Sequence, residues 1–483
     1  MRTGIYVKGV KRQKPAAIRA INAIISSPIG VLLLGVMSAA AFAFSMEVPF
    51  YCFVVLYAIY VAIFARDLSP LMPLFIFCYI TPSASNNPGT SKESIFYGAS
   101  GAFLLALVAI GVTIIFIRIG TDKKMGFSRL FTKKRKLALG MLLLGVAYML
   151  SGINSLHYGE YMWKNLLFSF IQFASIFLLY FVLSATVRWK KFNVSYLATI
   201  GLTMGFIVAF EIVWIYVNGG IFEAGEIVRS RIFTGWGIYN NLGAIITMSI
   251  PFAFYFVSKS RFATPFFIAA LVLLLAAFMT CSRGASLFAV IVFSVCYVMS
   301  LKNAVSKWEL RIVSILMIIG SIALAVYFKD ELSKIYERVP HIIDRVDGKL
   351  LLQDNERFGI YRDGLGAFLD APIFGQTFYP IDYSVYDFAT LDEFSSFFPP
   401  RWHNTVIQIL ASAGLVGIAA YITHRVSTVV LFVKRKSRIN TYIAISILAL
   451  LGMSLVDCHF FNVGPVLFYS TMLAVAEFGR EKT

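Results

Sequence analysis

The chain has 483 residues, of which 59% are hydrophobic, 16% aromatic and only 14% charged, with a mean hydropathy of +0.77. A soluble chain is about half apolar and carries roughly a quarter charged residues, so a soluble enzyme, a disordered protein and a coiled coil are excluded. What remains is an all-α polytopic membrane protein, and its net charge of +18 has to be read from where the charges fall.

A basic tail comes first, residues 1–27, with Arg2, Lys8, Lys11, Arg12, Lys14 and Arg19 and no acid. More apolar segments follow it and no isolated small-residue cleavage site stands out, so it flanks a start-transfer helix and is not a cleaved leader. A bilayer-crossing helix needs about 20 apolar residues. Such stretches fall at 28–45, 48–65, 70–82, 97–117, 137–153, 165–186, 195–217, 240–257, 262–280, 285–301, 312–328, 405–433, 439–456 and 461–477. The expectation is about fourteen transmembrane helices, with twelve as the alternative count. The stretch at 405–433 is long enough to be a span plus an interfacial turn. Residues 28–328 would hold spans 1–11, residues 405–477 spans 12–14, and 478–483 a closing tail.

The charges test this layout, because cytoplasmic loops carry an excess of Lys and Arg. Of the 43 basic residues, 30 fall in alternate connections, including the run from Arg118 to Lys136, the group at Arg188, Lys190 and Lys191, and the group from Arg425 to Arg438. The other side is acidic on balance. The basic surplus is thus a topology signal and not a nucleic-acid footprint, and it puts both termini in the cytoplasm. The cysteines, Cys52, Cys78, Cys281, Cys296 and Cys458, form no CxxC pair and suggest neither a disulfide framework nor a metal site.

Between spans 11 and 12 lies one large external loop, residues 329–404. Structureless loops of that length are uncommon, and 330–346 and 355–370 read as short amphipathic helices stopped at Pro340 and Pro372. The stretch 375–402 is irregular and aromatic, with Phe378, Tyr379, Tyr383, Tyr386, Phe388, Phe394, Phe397, Phe398 and Trp402. These rings form either an interfacial belt or a sugar-binding surface in concert with the loop's acids.

External arginines run against the topological bias, so each calls for a reason. Arg229 and Arg231 precede a Gly-containing turn, Arg283 sits in TCSRGAS at a hairpin tip, and Arg357 follows Glu356 in NERFGIYRDG. His403 and Asn404 stand at the mouth of the span after the loop. Guanidinium forks bind phosphate oxygens in pairs, and a histidine exchanges protons near neutral pH. Together these residues suggest an anion site at the outer leaflet. Glu211, in the outer half of its span, is either a functional acid or a packing partner. Asp457 and His459, at the last outer hairpin, read as interfacial.

Four elements of this set resemble the O-antigen ligase/polymerase family of membrane glycosyltransferases. They are Arg231 with Gly235 and Asn240-Asn241, lacking the family's proline between the asparagines; Ser282-Arg283-Gly284; Glu356-Arg357 leading to Pro372 and Gly375; and His403-Asn404 with Gly414 and Gly417, where Ile407 replaces the usual leucine. The resemblance runs from about Arg229 to Gly417. It implies a GT-C-like fold in the bacterial inner membrane, with the active site on the external, periplasmic side. It implies a glycan donor carried on undecaprenyl diphosphate, the lipid diphosphate held by Arg231, Arg283 and Arg357, and His403 deprotonating or orienting the acceptor hydroxyl, with Arg229, Asn404, Glu356 and Glu211 in support. The reaction it implies is inverting and metal-independent, without cofactors, and the scattered external acids with no DxD at a span mouth agree. The acceptor is a second lipid-linked repeat unit for a polymerase, the favoured expectation, or lipid A–core for a ligase; a protein-glycosylating branch shares the motifs. A chain-length regulator is a further partner in the polymerase case. A flippase or transporter is the competing class, disfavoured by the long loop and by the absence of a clear internal repeat.

Overall fold

The computed structural model describes residues 15–78, 98–121, 136–152, 162–218, 222–223, 226–227, 231–234, 237–327, 356–378 and 402–481. Helices dominate because a backbone in hydrocarbon must satisfy its own N–H and C=O groups. In chain order they are α1 (Ala16–Ile25), α2 (Pro28–Ala43), α3 (Glu47–Phe64), α4 (Leu71–Phe77), α5 (Gly98–Thr121), α6 (Lys136–Ser151), α7 (Met162–Phe173), α8 (Leu179–Thr186), α9 (Ser195–Asn218), α10 (Tyr239–Lys259), α11 (Thr264–Met279), α12 (Arg283–Asn303), α13 (Lys307–Tyr327), α14 (Glu356–Asp370), α15 (Thr405–Lys434), α16 (Arg438–Met453) and α17 (Val463–Phe478). Each apolar stretch picked from the sequence overlaps at least one of them. Among the described residues, five helices are long and apolar enough to cross a membrane, or six if α1 and α2, bent by 74°, count as one broken span; six more are apolar but only 10–17 residues long. Helix α1 was not separated from the basic tail by sequence reasoning. Nor were two antiparallel ribbons, β1 (Phe222–Glu223) with β2 (Glu226–Ile227) and β3 (Phe233–Thr234) with β4 (Gly237–Ile238).

The centre of the fold is α10, almost wholly buried, whereas α12 leaves most of its surface outward. Small residues let neighbours approach α10 closely, as lipid-embedded helices require: Gly205 of α9 lies against Ser249, and Gly243 of α10 against Ala285 of α12. Helices α7 and α8 are joined by one π turn, Ala174–Leu178. Carbonyls in a π turn lose their regular partners, and here the Ser470 hydroxyl of α17 donates to Ser175 O and Ile176 O at 2.8 and 3.1 Å.

Helix α15 is broken at Gly414, whose φ of 61° and ψ of −154° are not helical. The long stretch at 405–433 is therefore two helical pieces. A break inside a bundle orphans backbone groups, and residues 372–377 fill it from both sides. Gln376 N and Thr377 N donate to Ala411 O and Ser412 O at 2.7 and 3.1 Å, while Leu415 N and Val416 N donate to Pro372 O and Ile373 O at 2.8 and 3.1 Å. Gly375 also has positive φ, 73°. This interlock gives a physical reason for the Pro372…Gly375 and Gly414 motif positions.

Polar contacts sort the helix ends into two sets. At one end Arg118 of α5 donates to Val61 O, Ala62 O and Ala65 O where α3 finishes, and Arg438 donates to Ser258 O where α10 finishes. Cations suit the negative ends of helices. At the same end Glu309, ahead of the span read at 312–328, accepts from Ala263 N at 3.0 Å and from Thr264 N at 2.9 Å, capping α11. At the opposite end α10, α12, α15 and α17 begin.

Two tests follow from these contacts. The Thr264 hydroxyl and the two backbone N–H groups pull the Glu309 carboxyl down to about 2. A depressed carboxyl stabilises the fold above its unfolded value and loses that contribution as pH falls toward the folded one. Thermal unfolding in detergent should show a wild-type advantage over Glu309→Gln at pH 6 that shrinks between about pH 4.5 and pH 2; a constant difference would contradict the cap. A Cβ at Gly414 would sit 2.5 Å from Ile373 O and 2.6 Å from Pro372 O. Gly414→Ala should therefore cost on the order of 1–3 kcal/mol, read as a lowered unfolding midpoint.

Candidate active site

The end where four helices begin gathers the polar residues picked from the sequence. His403 immediately precedes α15 and has φ of 47°, a left-handed conformation uncommon outside glycine that marks functional positions when the surroundings enforce it. The enforcement is visible. The Tyr361 hydroxyl of α14 donates to His403 O at 3.2 Å, Trp402 N donates to Gln408 Oε1 at 3.1 Å, and Thr405 N donates to Ser454 O at 2.9 Å. Asn404 is the N-cap of α15, its Oδ1 accepting from Val406 N and Ile407 N, while its Nδ2 donates to Leu455 O at 2.9 Å.

His403 Nδ1 lies 3.4 Å from Asp457 Oδ1, an approach that does not form a hydrogen bond in this structure; the histidine side chain is one-third exposed and the aspartate 5% exposed. Asp457 Oδ1 also accepts from Cys458 N at 2.6 Å. Its Oδ2 accepts from Asn240 Nδ2 at 2.9 Å, and Asn240 Oδ1 accepts from the Ser282 hydroxyl at 2.8 Å. Ser282 in turn caps α12, accepting from Ala285 N. Each group fixes the next: the serine proton faces the asparagine oxygen, so the asparagine amide faces the carboxylate, and the carboxylate faces the imidazole. The chain His403–Asp457–Asn240–Ser282 ties together the starts of α15, α10 and α12 and the turn after α16. Asn462, just before α17, donates to Asn241.

The other expected residues distribute around this core. Arg283 follows Ser282 as the first residue of α12 and is exposed. Arg231 is half-buried just before the β3–β4 ribbon, which runs directly into α10. Glu211 is fully buried in α9, its carboxyl against the Thr234 side chain of β3, so it sits beneath that ribbon. Tyr216 of α9 donates to Met279 O at 2.8 Å, linking the same end of α9 to the turn before Arg283. Arg229 lies outside the described residues. Glu356 and Arg357 open α14, and their side chains lie outside what the structure describes. Helix α14 itself packs on α15, with Gly364 against Trp402 and Ile407. Of the loop aromatics, Phe378 and Trp402 are buried. Phe378 meets Tyr148, Phe168 and Phe461 edge-on, so these two serve packing; the others, and the helix read at 330–346, lie outside the described residues.

Asp457 and His459 correct the sequence reading: both are buried and neither is interfacial. Asp457 was legible only as an acid at a span end, a position usually occupied by an interfacial side chain. Its pairing with a histidine more than fifty positions earlier is a tertiary fact. Asn240 and Ser282 were noted within motifs, but no role followed from them. Among the described residues no three His, Cys, Asp or Glu side chains converge as a metal site would require.

Residues 268–422 match the family model described as O-antigen ligase. This segment is of the O-antigen ligase/polymerase type. The match supports a glycosyl-transferring enzyme in general terms and, with the apolar helices, a multi-pass membrane protein of polysaccharide biosynthesis. No curated protein matches the chain. The matched O-antigen ligase segment contains Ser282, Arg283, His403, Asn404 and Gly414, whereas Arg231, Asn240 and Asp457 lie outside it. The hydrogen-bonded chain thus joins the family segment to helices on both sides of it.

The chain predicts an order of effects at Asn240. Asn240→Ala leaves Asp457 Oδ2 and the Ser282 hydroxyl without that partner, a loss of about 1–3 kcal/mol. Asn240→Asp should unfold at lower temperature still, because it sets a second carboxylate against Asp457. An aspartate variant as stable as the alanine variant would contradict the contact.

Proposed function

We propose that this protein is an inverting glycosyltransferase that takes a glycan from undecaprenyl diphosphate and polymerises surface-polysaccharide repeat units. The observation that carries the reading is the buried Asp457 carboxylate set against Nδ1 of the one-third-exposed His403, with Arg283 one residue from the far end of the same chain. The reading includes fourteen spans, cytoplasmic termini and a site on the external face of the inner membrane.

In the proposed step Asp457 Oδ1, 3.4 Å away, closes onto Nδ1, which leaves Nε2 for an acceptor hydroxyl. In the proposed step the acceptor oxygen bonds to the anomeric carbon from the face opposite the lipid, and the bond from that carbon to the diphosphate oxygen breaks. The hydroxyl proton passes to His403 Nε2, and the Asp457 carboxylate offsets the imidazolium charge, as an orienting acid does for a general base. Charge gathering on the leaving diphosphate is met by the Arg231 and Arg283 guanidinium groups and by the N-terminal ends of α10, α12 and α15, whose dipoles favour anions. Position 357, one turn before Tyr361 in α14, belongs to the same set. Positive groups fixed in advance supply in this reading what a divalent metal supplies elsewhere.

The acceptor divides two versions of one chemistry. The long external loop supports a polymerase extending one lipid-linked glycan with another. The description of the matched family supports the second version, a ligase that delivers the glycan to lipid A–core. Reconstitution separates them. Purified protein in liposomes receives a lipid-diphosphate repeat unit with EDTA present: a product ladder marks the polymerase, transfer only on addition of lipid A–core marks the ligase, and no turnover with either moves the protein to a carrier or flippase class. His403→Ala should lower turnover by about 10²–10⁴-fold without lowering protein level. Arg231→Lys should lose about tenfold or more if two oxygens are held by a guanidinium fork; full activity would reduce Arg231 to a point charge.

A further inference from the structure

Arg425 is a cation the outer site does not use. The charge count groups it with the inner basic loop although it falls within the stretch at 405–433, and in the structure it lies inside α15, nine positions before that helix ends at Lys434. Its guanidinium carbon lies 4.5 Å from the Tyr421 ring centre, 4.4 Å from that of Phe460 and 5.4 Å from that of Tyr469. Nη1 donates to the Tyr469 hydroxyl at 3.0 Å. That hydroxyl is 2.6 Å from His424 Nε2; having accepted from the guanidinium, it gives its one proton to the imidazole. Nη1 is thereby satisfied.

Nε and Nη2 are not. Both are buried, and neither has a hydrogen-bond partner among the described residues; His424 Nδ1 is in the same condition. The rings around Arg425 are neutral, and among the described residues no carboxylate pairs with it. A buried charged donor without an acceptor is costly, and an ionisable group within a span marks function by default. Nε and Nη2 share one edge of the guanidinium plane, and this edge is the fork that takes two oxygens of one phosphate.

The surroundings say how the phosphate arrives. Ile422, Val426 and Val429 are 55, 57 and 62% exposed and form an outward apolar stripe on α15. Arg425, three positions after Ile422 and four before Val429, borders that stripe. Helical side chains lean toward the N-terminus, which carries the guanidinium toward Phe460, in the turn below Asp457. The unpartnered Nε and Nη2 edge therefore lies near an outward apolar stripe of α15 and beside Phe460, three residues after Asp457.

We propose that Arg425, with Tyr421, Phe460 and Tyr469 around it, forms an intramembrane site for the phosphate of a lipid, distinct from the anion site beside His403. The inference rests on α15 crossing the membrane and not on the transfer reaction, and it is tested by binding alone. The full chain carrying Arg231→Ala and Arg283→Ala, which silence the outer anion site, is purified in a neutral detergent and titrated with a polyprenyl monophosphate. Bound lipid is read by native mass spectrometry and by the shift in unfolding temperature. The lipid should bind, and polyprenol and millimolar inorganic phosphate should not. Adding Arg425→Gln should weaken binding at least about tenfold, and Arg425→Lys nearly as much, since an ammonium offers no fork. Inorganic phosphate binding as well as the lipid would overturn the lipid assignment. Arg425 variants that lower the ligand-free unfolding temperature yet keep full affinity for the lipid would overturn the site and leave a structural cation–π clamp.

Discussion

One buried carboxylate organises the end of the bundle that matters. Asp457 receives the Asn240 amide and the Cys458 backbone N–H and faces the His403 imidazole. Three helix starts meet there, and helix starts carry partial positive charge. A carboxylate in that position is favoured by the helix ends. The same arrangement leaves the positive ends of α10 and α12, with Arg283 between their caps and solvent, available to a second anion arriving from outside. In the proposed reaction, acid–base chemistry and leaving-group stabilisation draw on one electrostatic frame.

Precision at His403 depends on a distant feature, the break at Gly414. The Pro372–Thr377 segment pairs with the backbone on both sides of that break, and α14, which leads into the segment, supplies the Tyr361 hydroxyl to His403 O. The Pro372–Thr377 segment is therefore stitched into α15 by main-chain hydrogen bonds. Residues that prepare the site and residues that line it occupy one folded unit, which accounts for glycines and a proline appearing among the motif positions beside the chemically active side chains.

Much of this was legible in the sequence. Helix positions followed from apolar length, and the common end of His403, Asn404, Ser282, Arg283 and Asn240 followed from counting spans and loop charges. Helix α14 was placed within a residue of its observed limits. What stayed hidden was tertiary. Asp457 looked interfacial because its partner lies on another helix, and Phe378 and Trp402 read as part of an interfacial belt or a sugar-binding surface because burial does not show in an aromatic-rich loop. Arg425 was counted with the inner charges because a positive-inside count registers a residue's neighbours in sequence and not its depth.

The central claim is that His403 and Asp457 act as one unit in glycosyl transfer. A double-mutant cycle on the transfer rate tests it directly, using His403→Ala, Asp457→Ala and the pair together in reconstituted membranes. If the carboxylate acts through the imidazole, the loss in the double variant should fall well short of the product of the two single losses. Losses that multiply in the double variant would show the two residues acting independently and would contradict the account.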